Sequence, residues 1–338
     1  MKKSLLALTL LGAFTSAAFA QSSTPASNIS IYGIVDLGFN FEKGTESRTA
    51  LGSGNQSGSR LGFKGTEDLG GGLSAIFQLE NGFNADAGTL AQGSRVFGRR
   101  ATVGLSGEFG ELNLGRRNTP YYNAIDGVDP MNVGFAGNAS NLIEKTGSLA
   151  DLSGVRMENS VFYTSPVLMN SLKAELAWGL GEVAGNNAAF RQFGGSLNYS
   201  QDAFTIVLAH HNAKDALGDK NRKNTILTGK YAMPSLTLHI AFAGNRKDDS
   251  YKSDDILLGV SVPLQDGHKL MASYIRKNDK SALNADAKQA ALAYTYDISK
   301  RTNFYASYAK ISNDTGANYK TNSNVGNREA NFGIRHKF

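Results

Sequence analysis

Cysteine is absent from the 338 residues, which excludes a disulfide framework, a thiolate metal site and a cysteine nucleophile. Charge is scarce as well: Asp, Glu, Lys and Arg make up 19% of the chain, below the usual globular share of about 25%. The positive excess, +6 at pH 7, is too mild for this length to point to nucleic acid. Long apolar runs are missing. Beyond Gln21 the longest, such as 204–209 and 256–262, fall far short of the ~20 residues of a membrane helix, so a helical membrane protein is excluded. A protein that crosses with strands is not, because that signal is weak in each strand and must be read over the whole chain. What is abundant is glycine, 38 residues, and aromatics at 9%, too many for a disordered polyelectrolyte.

The first twenty residues read as an address. Lys2 and Lys3 form a basic start, Leu5 to Leu11 an apolar stretch, and Ala18-Phe19-Ala20 a small-x-small cleavage site. Residues 1–20 are therefore expected to be a cleaved signal peptide, and 21–338 a single exported domain.

That domain alternates with period two almost throughout. Ile29, Ile31, Val35, Leu37, Phe39 and Phe41 share one face, against Ser30, Tyr32, Asp36 and Asn40 on the other. Leu172, Ala174, Leu176 and Trp178 oppose Lys173 and Glu175, and Leu236, Leu238, Ile240 and Phe242 oppose Thr237, His239 and Ala241. Such a pattern places one face in an apolar medium and the other against water. No segment sustains a helical period. Seven short connections, near 67–70, 107–110, 166–170, 200–202, 233–235, 263–267 and 298–300, alternate with eight longer polar stretches, which makes sixteen strands. The longer stretches run at about 42–57, 84–96, 117–158, 181–190, 212–222, 246–252, 278–287 and 312–327.

A soluble sandwich also alternates, but the export signal, the strand number and the aromatics near strand ends (Trp178, Tyr199, Phe204, Tyr231, Tyr296, Phe304) favour a membrane barrel. The expected fold is all-β, a 16-stranded antiparallel transmembrane β-barrel. Every backbone donor in hydrocarbon needs a partner, so the strand near Ile29 must pair with the one ending at Phe338. Sixteen strands are too many for side chains to fill, which leaves a polar aqueous lumen.

Several blocks carry a family resemblance: Ile31-Tyr32-Gly33-Ile34-Val35-Asp36, Ser59 to Leu73, Ala75 to Phe83, Arg99 to Gly107, Leu114-Gly115-Arg116, and the ending Gly333-Ile334-Arg335-His336-Lys337-Phe338. In this order they resemble the general porins of Gram-negative outer membranes. The resemblance implies a homotrimer in the outer membrane, among lipid and lipopolysaccharide, that passes ions and small hydrophilic solutes passively. It implies an infolded third loop, for which 117–158, the longest connection, is the candidate, with Asp126, Asp129 and Glu144 as its acidic groups. It also implies a basic wall opposite, at Arg60, Lys64, Arg99 and Arg156, and a final aromatic, Phe338, read by the barrel-assembly machinery.

Arg99 exposes a conflict. Alternation from Val103 and Leu105 points Arg100 inward, whereas the family pattern points Arg99 inward. Arg99 is taken with the family and Arg100 is the fallback. Arg116 is a further fallback, and Arg116 and Arg117 could equally serve a subunit contact. Rings of arginine favour anions, so a mild anion preference is expected. No cofactor, metal or catalytic residue is implied: the Gly-x-Ser-x-Gly elbow is missing, the glycine clusters miss nucleotide-loop spacing, and His210-His211 would face opposite sides of a strand. The competing readings are a surface receptor or adhesin and an outer-membrane lipase.

Overall fold

A computed structural model describes residues 28–143, 154–248, 250–322 and 324–338. The expected leader and Glu144 lie outside the described residues. The chain begins with β1 (Asn28–Lys43), β2 (Ser47–Ser53), β3 (Arg60–Gly70), β4 (Leu73–Asn84), β5 (Thr89–Leu90) and β6 (Arg100–Gly107). It continues with β7 (Gly110–Asn118), the helix α1 (Pro120–Val128), β8 (Arg156–Thr164), β9 (Leu172–Gly179), β10 (Gln192–Gln201), β11 (Phe204–Lys214) and β12 (Asn221–Ala232). The remainder is β13 (Thr237–Lys247), β14 (Tyr251–Pro263), β15 (His268–Asp279), β16 (Ala287–Asp297), β17 (Thr302–Asn313) and β18 (Arg328–Lys337).

Successive strands pair antiparallel. β2 and β3 act as one interrupted stave, because the upper part of β1 pairs with β2 and its lower part with β3. The two-residue β5 is an appendage of β4. The result is a closed barrel of 16 strands. Closure runs from Lys43↔Arg328 to Ile34↔Lys337. It ends with Phe338 N–H donating to the Gly33 carbonyl at 3.1 Å and Gly33 N–H donating to that of Phe338 at 3.0 Å. The seam thus leaves neither the first nor the last strand with an open edge, as a hydrocarbon medium demands. A Cβ on Gly33 would overlap the Phe338 ring, so this seam requires glycine.

The alternation resolves into two surfaces. Leu208, Leu227, Phe242, Ile256, Leu292 and Phe304 point outward and exposed, while Ala209, Ile226, Ala241 and Leu257 are buried inside. Aromatics cluster near strand ends, with Phe204 stacked on Tyr231 at 4.5 Å and Tyr296 on His268 at 4.2 Å. Six of the seven expected short connections fall where expected, and the first is displaced: residues 67–70 belong to β3 and the turn lies at 71–72.

The first long connection differs from expectation. Instead of an open loop over 42–57, β1 turns tightly into β2, and residues 54–59 leave the sheet before β3 begins. Asp36 holds that excursion inside the barrel. Its fully buried carboxylate accepts the amides of Gln56 at 2.9 Å and Ser57 at 2.6 Å and the Tyr305 hydroxyl at 2.6 Å.

Residues 120–143 lie along the inner face of β11–β17. The helix α1 starts at Thr119, whose hydroxyl accepts the Tyr122 amide, with Pro120 in the first turn where its missing N–H costs nothing. Tyr121, Ala124, Ile125 and Val128 recur at helical spacing and pack on Ala209, Ile226, Ala241, Ala243 and Leu257. Burial of each large apolar side chain contributes roughly 1.5–3 kcal/mol. Further along, Leu142 and Ile143 are fully buried. The Leu142 carbonyl accepts from Lys277 at 2.9 Å, and that of Ile143 from Asn245 at 2.9 Å. Gln289 donates to the Gly137 carbonyl at 2.8 Å.

Candidate functional site

Opposite α1, the inner faces of β3, β4 and β6 carry charge. Register aligns Gly62 with Glu80 and Lys64 with Gln78, then Glu80 with Arg100 and Gln78 with Thr102. Glu80 is the hub. It pairs with Arg99 at 2.7 Å and with Arg60 at 3.8 Å, and it accepts the Tyr32 hydroxyl at 2.8 Å. Gln78 donates to that hydroxyl at 2.5 Å. The Tyr32 ring lies where a Cβ on Gly62 would be, so a small residue at 62 lets the phenol reach Glu80.

The conflict over Arg99 and Arg100 dissolves because both reach the interior. Arg100 begins β6 on the same face as Thr102, to which it donates at 3.1 Å. Arg99 lies just before the strand, outside its regular pleat; its amide donates to the Glu80 carbonyl at 3.2 Å and its side chain turns back to the Glu80 carboxylate. Arg156 donates to the Arg99 carbonyl at 3.1 Å. Lys64 is exposed further along β3, its ammonium 5.6 Å from the Tyr32 ring centroid.

Arg116 and Arg117 part company. Arg116 shares the outward face of Leu114 and pairs with Glu158 at 3.3 Å. Arg117 lies inside, pairing with Glu175 at 2.6 Å and lying over the Phe162 ring at 5.0 Å. A bulge between Gly115 and Arg117 shifts the register there.

The acidic groups separate in the same way. Asp126, on α1, faces the basic wall: burial pushes its carboxyl above the usual range, while Arg60, Arg99 and Lys230 pull it back. Asp129 does not face the lumen. It is 1% exposed, and its carboxylate accepts the amides of Met131 at 3.0 Å, Val133 at 3.1 Å and Ala139 at 2.9 Å, a role in shaping the loop. Burial pushes Asp129 up to about 6 against those hydrogen bonds.

Glu80, Tyr32, Glu175 and the inward Arg117 were not singled out from sequence as wall residues. Period two did place Glu175 on a polar face, and only the cross-strand register adds which arginine it meets. Among the described residues no group of three or more His, Asp or Glu could hold a metal ion.

An inner wall of paired arginines within a closed membrane-type barrel points to one kind of protein, and the sequence settles it. Residues 7–316 match the profile described as Gram-negative porin. The chain belongs to the Gram-negative porins. An outer membrane porin protein of Bordetella pertussis is 30% identical, with 100% of each chain covered. Outer membrane porin protein 32 of Delftia acidovorans is 32% identical over 93% of this chain and 90% of its own. Among solved structures, an anion-selective porin from Comamonas acidovorans superposes with a TM-score of 0.83 at 28% identity, covering 92% of this chain and 100% of that one. This porin is thus an outer-membrane channel of the passive kind, not an enzyme.

Proposed function

We propose that the porin passes small anions in mild preference to cations, through a constriction between residues 117–158 and the wall bearing Arg60, Lys64, Arg99, Arg100 and Arg156. The observation that carries this reading is the imbalance across the gap. Arginines stay charged at any working pH, and on the loop side Asp126 is the acidic group set against Arg60 and Arg99. Glu80 offsets part of that charge, which makes the preference mild rather than absolute. The relative described as anion-selective supports the same sign. Small ions are screened over about 8 Å in physiological salt, so the narrow zone decides selectivity and the net charge of the chain does not.

The zero-current potential of the reconstituted channel across a potassium chloride gradient tests the reading. A sign set by chloride is expected, and Arg60→Glu shifts it toward potassium. A potassium-selective wild type overturns the reading. The working unit is a homotrimer, so insertion events are expected to raise conductance in steps of three. Residues 1–20 act as the cleaved leader. Phe338, seated on Gly33 at the seam, serves as the assembly signal, so its deletion lowers insertion yield more than conductance.

A further inference from the structure

Four inner arginines have carboxylate partners: Glu80 for Arg60 and Arg99, Glu111 at 4.0 Å for Arg100, Glu175 for Arg117, while Arg156 donates to the Arg99 carbonyl. Some inner-face lysines have no such partner among the described residues: besides Lys64 on β3, two of them share one cavity. Lys173 on β9 and Lys230 on β12 have no carboxylate within 4.0 Å among the described residues. Both sit close to the short-turn rim: Lys173 is the second residue of its strand, and Lys230 lies two before the end of its own. Arg60, by contrast, lies ten residues from the turn that ends β3.

The two lysines flank a cavity of about 260 Å³ between α1 and the wall. Lys173 pairs in register with Asn198, and Lys230 with Thr205. Two staves separate them and the register offsets them by two residues, so at the ~4.8 Å strand spacing and ~3.3 Å rise their backbones stand about 16 Å apart. Two four-carbon stems of opposite origin can therefore converge on one small solute. The hydroxyls of Ser196, Thr205 and Thr228 line the floor between them, and that of Thr164 borders the cavity beyond β9. Glu175, which also lines the cavity, is held by Arg117 at 2.6 Å, and that pair is neutral as a unit. Asp126 acts on Lys230 from the helix, but it acts more strongly on Arg60 and Arg99. What remains is a hydroxyl-lined cavity with an excess of positive charge from two separate ammonium groups.

We propose that this cavity is a second anion site, in series with the arginine constriction, and that it retains a small dianion with several acceptor oxygens, such as inorganic phosphate. Two ammonium groups and a floor of hydroxyl donors match divalent charge and many acceptors, whereas chloride satisfies one group at a time. The site rests on the anion-passing reading and adds to it a place where a dianion pauses.

The test is phosphate inhibition of chloride current in planar bilayers at about pH 8, above the second ionisation of inorganic phosphate, which is therefore mostly dianionic. Wild-type channels are expected to show a saturable fall in chloride current as phosphate is added. The double variant Lys173→Gln, Lys230→Gln should raise the half-inhibiting concentration about tenfold or more, a loss of about 1.4 kcal/mol or more, because both ammonium groups that hold the dianion are gone. Each single variant should fall between, and Lys230→Arg should keep most of the inhibition. Should the double variant insert poorly, the two single variants carry the same measurement. Wild-type current indifferent to phosphate, or inhibition unchanged in the variants, would overturn the proposal. The zero-current potential of the wild type in chloride alone is read in the same bilayers. A potassium sign there removes the anion reading itself, whereas a chloride sign with no phosphate inhibition removes only the second site.

Discussion

The inner wall of the barrel has two halves that obey one pattern and say different things. Along β11–β17 the inward positions include the apolar set Ala209, Ile226, Ala241, Ala243, Leu257, Ile275, Ala287 and Ile311, buried beneath residues 120–143. Along β3–β9 they include Arg60, Lys64, Glu80, Arg100, Arg117, Lys173 and Glu175. Alternation makes both halves barrel. The choice of residue at each inward position decides whether a stave meets protein or water, and hence which wall borders the aqueous path. Ala241 carried that signal in the sequence, an apolar residue on a nominally polar face.

The largest effect is expected where a charge is placed on the covered half. Ile226→Asp buries an unpartnered carboxylate under α1, at a cost of several kcal/mol. The loop should lift from the wall, roughly doubling single-channel conductance as the lumen widens. Unchanged conductance with a folded barrel would mean that packing on Ile226 does not hold α1 in place.

Next comes the polar latch on the same half. Lys277 and Asp255, each 0% exposed, pair at 3.1 Å, and the ammonium also holds the Leu142 carbonyl. Lys277→Met leaves Asp255 buried without its counter-charge, its carboxylate held only by Asn245 and Ser253, which costs about 3–5 kcal/mol. The melting temperature of the folded barrel should drop accordingly. Adding Asp255→Leu should restore most of it, because an apolar pair replaces a buried ionic one at little net loss. If the double variant melts as low as the single, the loss comes from packing rather than from the orphaned charge.

On the open half a smaller change is expected, in selectivity rather than stability. Glu80→Gln frees Arg60 and Arg99 from their shared carboxylate while leaving an acceptor for Tyr32. The chloride-to-potassium permeability ratio should rise about twofold, the scale of one charge removed from a wet, screened gap. A fall in that ratio would show that Glu80 acts by positioning the arginines rather than by offsetting them.

Much of this was legible in the chain. Six of the seven tight turns, the alternation and the terminal seam follow from period two and from the need to satisfy every backbone group. The helix α1 was not legible: Thr119-Pro120 followed by Tyr121, Ala124, Ile125 and Val128 carries its signal, but nine residues inside a long irregular stretch give too weak a period. Nor was the interruption between β2 and β3, because Ser47–Ser53 is mostly polar and reads as loop, and because Asp36, which holds residues 54–59, acts from another strand. Arg99 defeats alternation for a local reason: it precedes the first pleated residue of β6. Glu80 as a hub needed the cross-strand register, which no single segment contains.

Asp129 marks the same limit, since an acidic residue in a long loop can serve the lumen or the loop itself, and only geometry tells which. Its role gives the smallest predicted effect. The carboxyl titrates near 3.8 when free and is pushed up to about 6 in the fold by burial. A folded pKa above the unfolded one means that the folded state binds the proton more tightly. The contribution of this group to stability is therefore fully present below about pH 4 and is lost as pH rises through 6. Residues 117–158 should accordingly resist added protease slightly better near pH 4 than near pH 7. Asp129→Asn cannot titrate, so it should lose that pH dependence between these limits while weakening the turn at every pH, because an amide offers one acceptor oxygen to three backbone donors. A variant whose protease resistance still follows pH as the wild type does would assign the titration to another carboxylate, with Asp126, also shifted upward and set against the basic wall, as the next to replace.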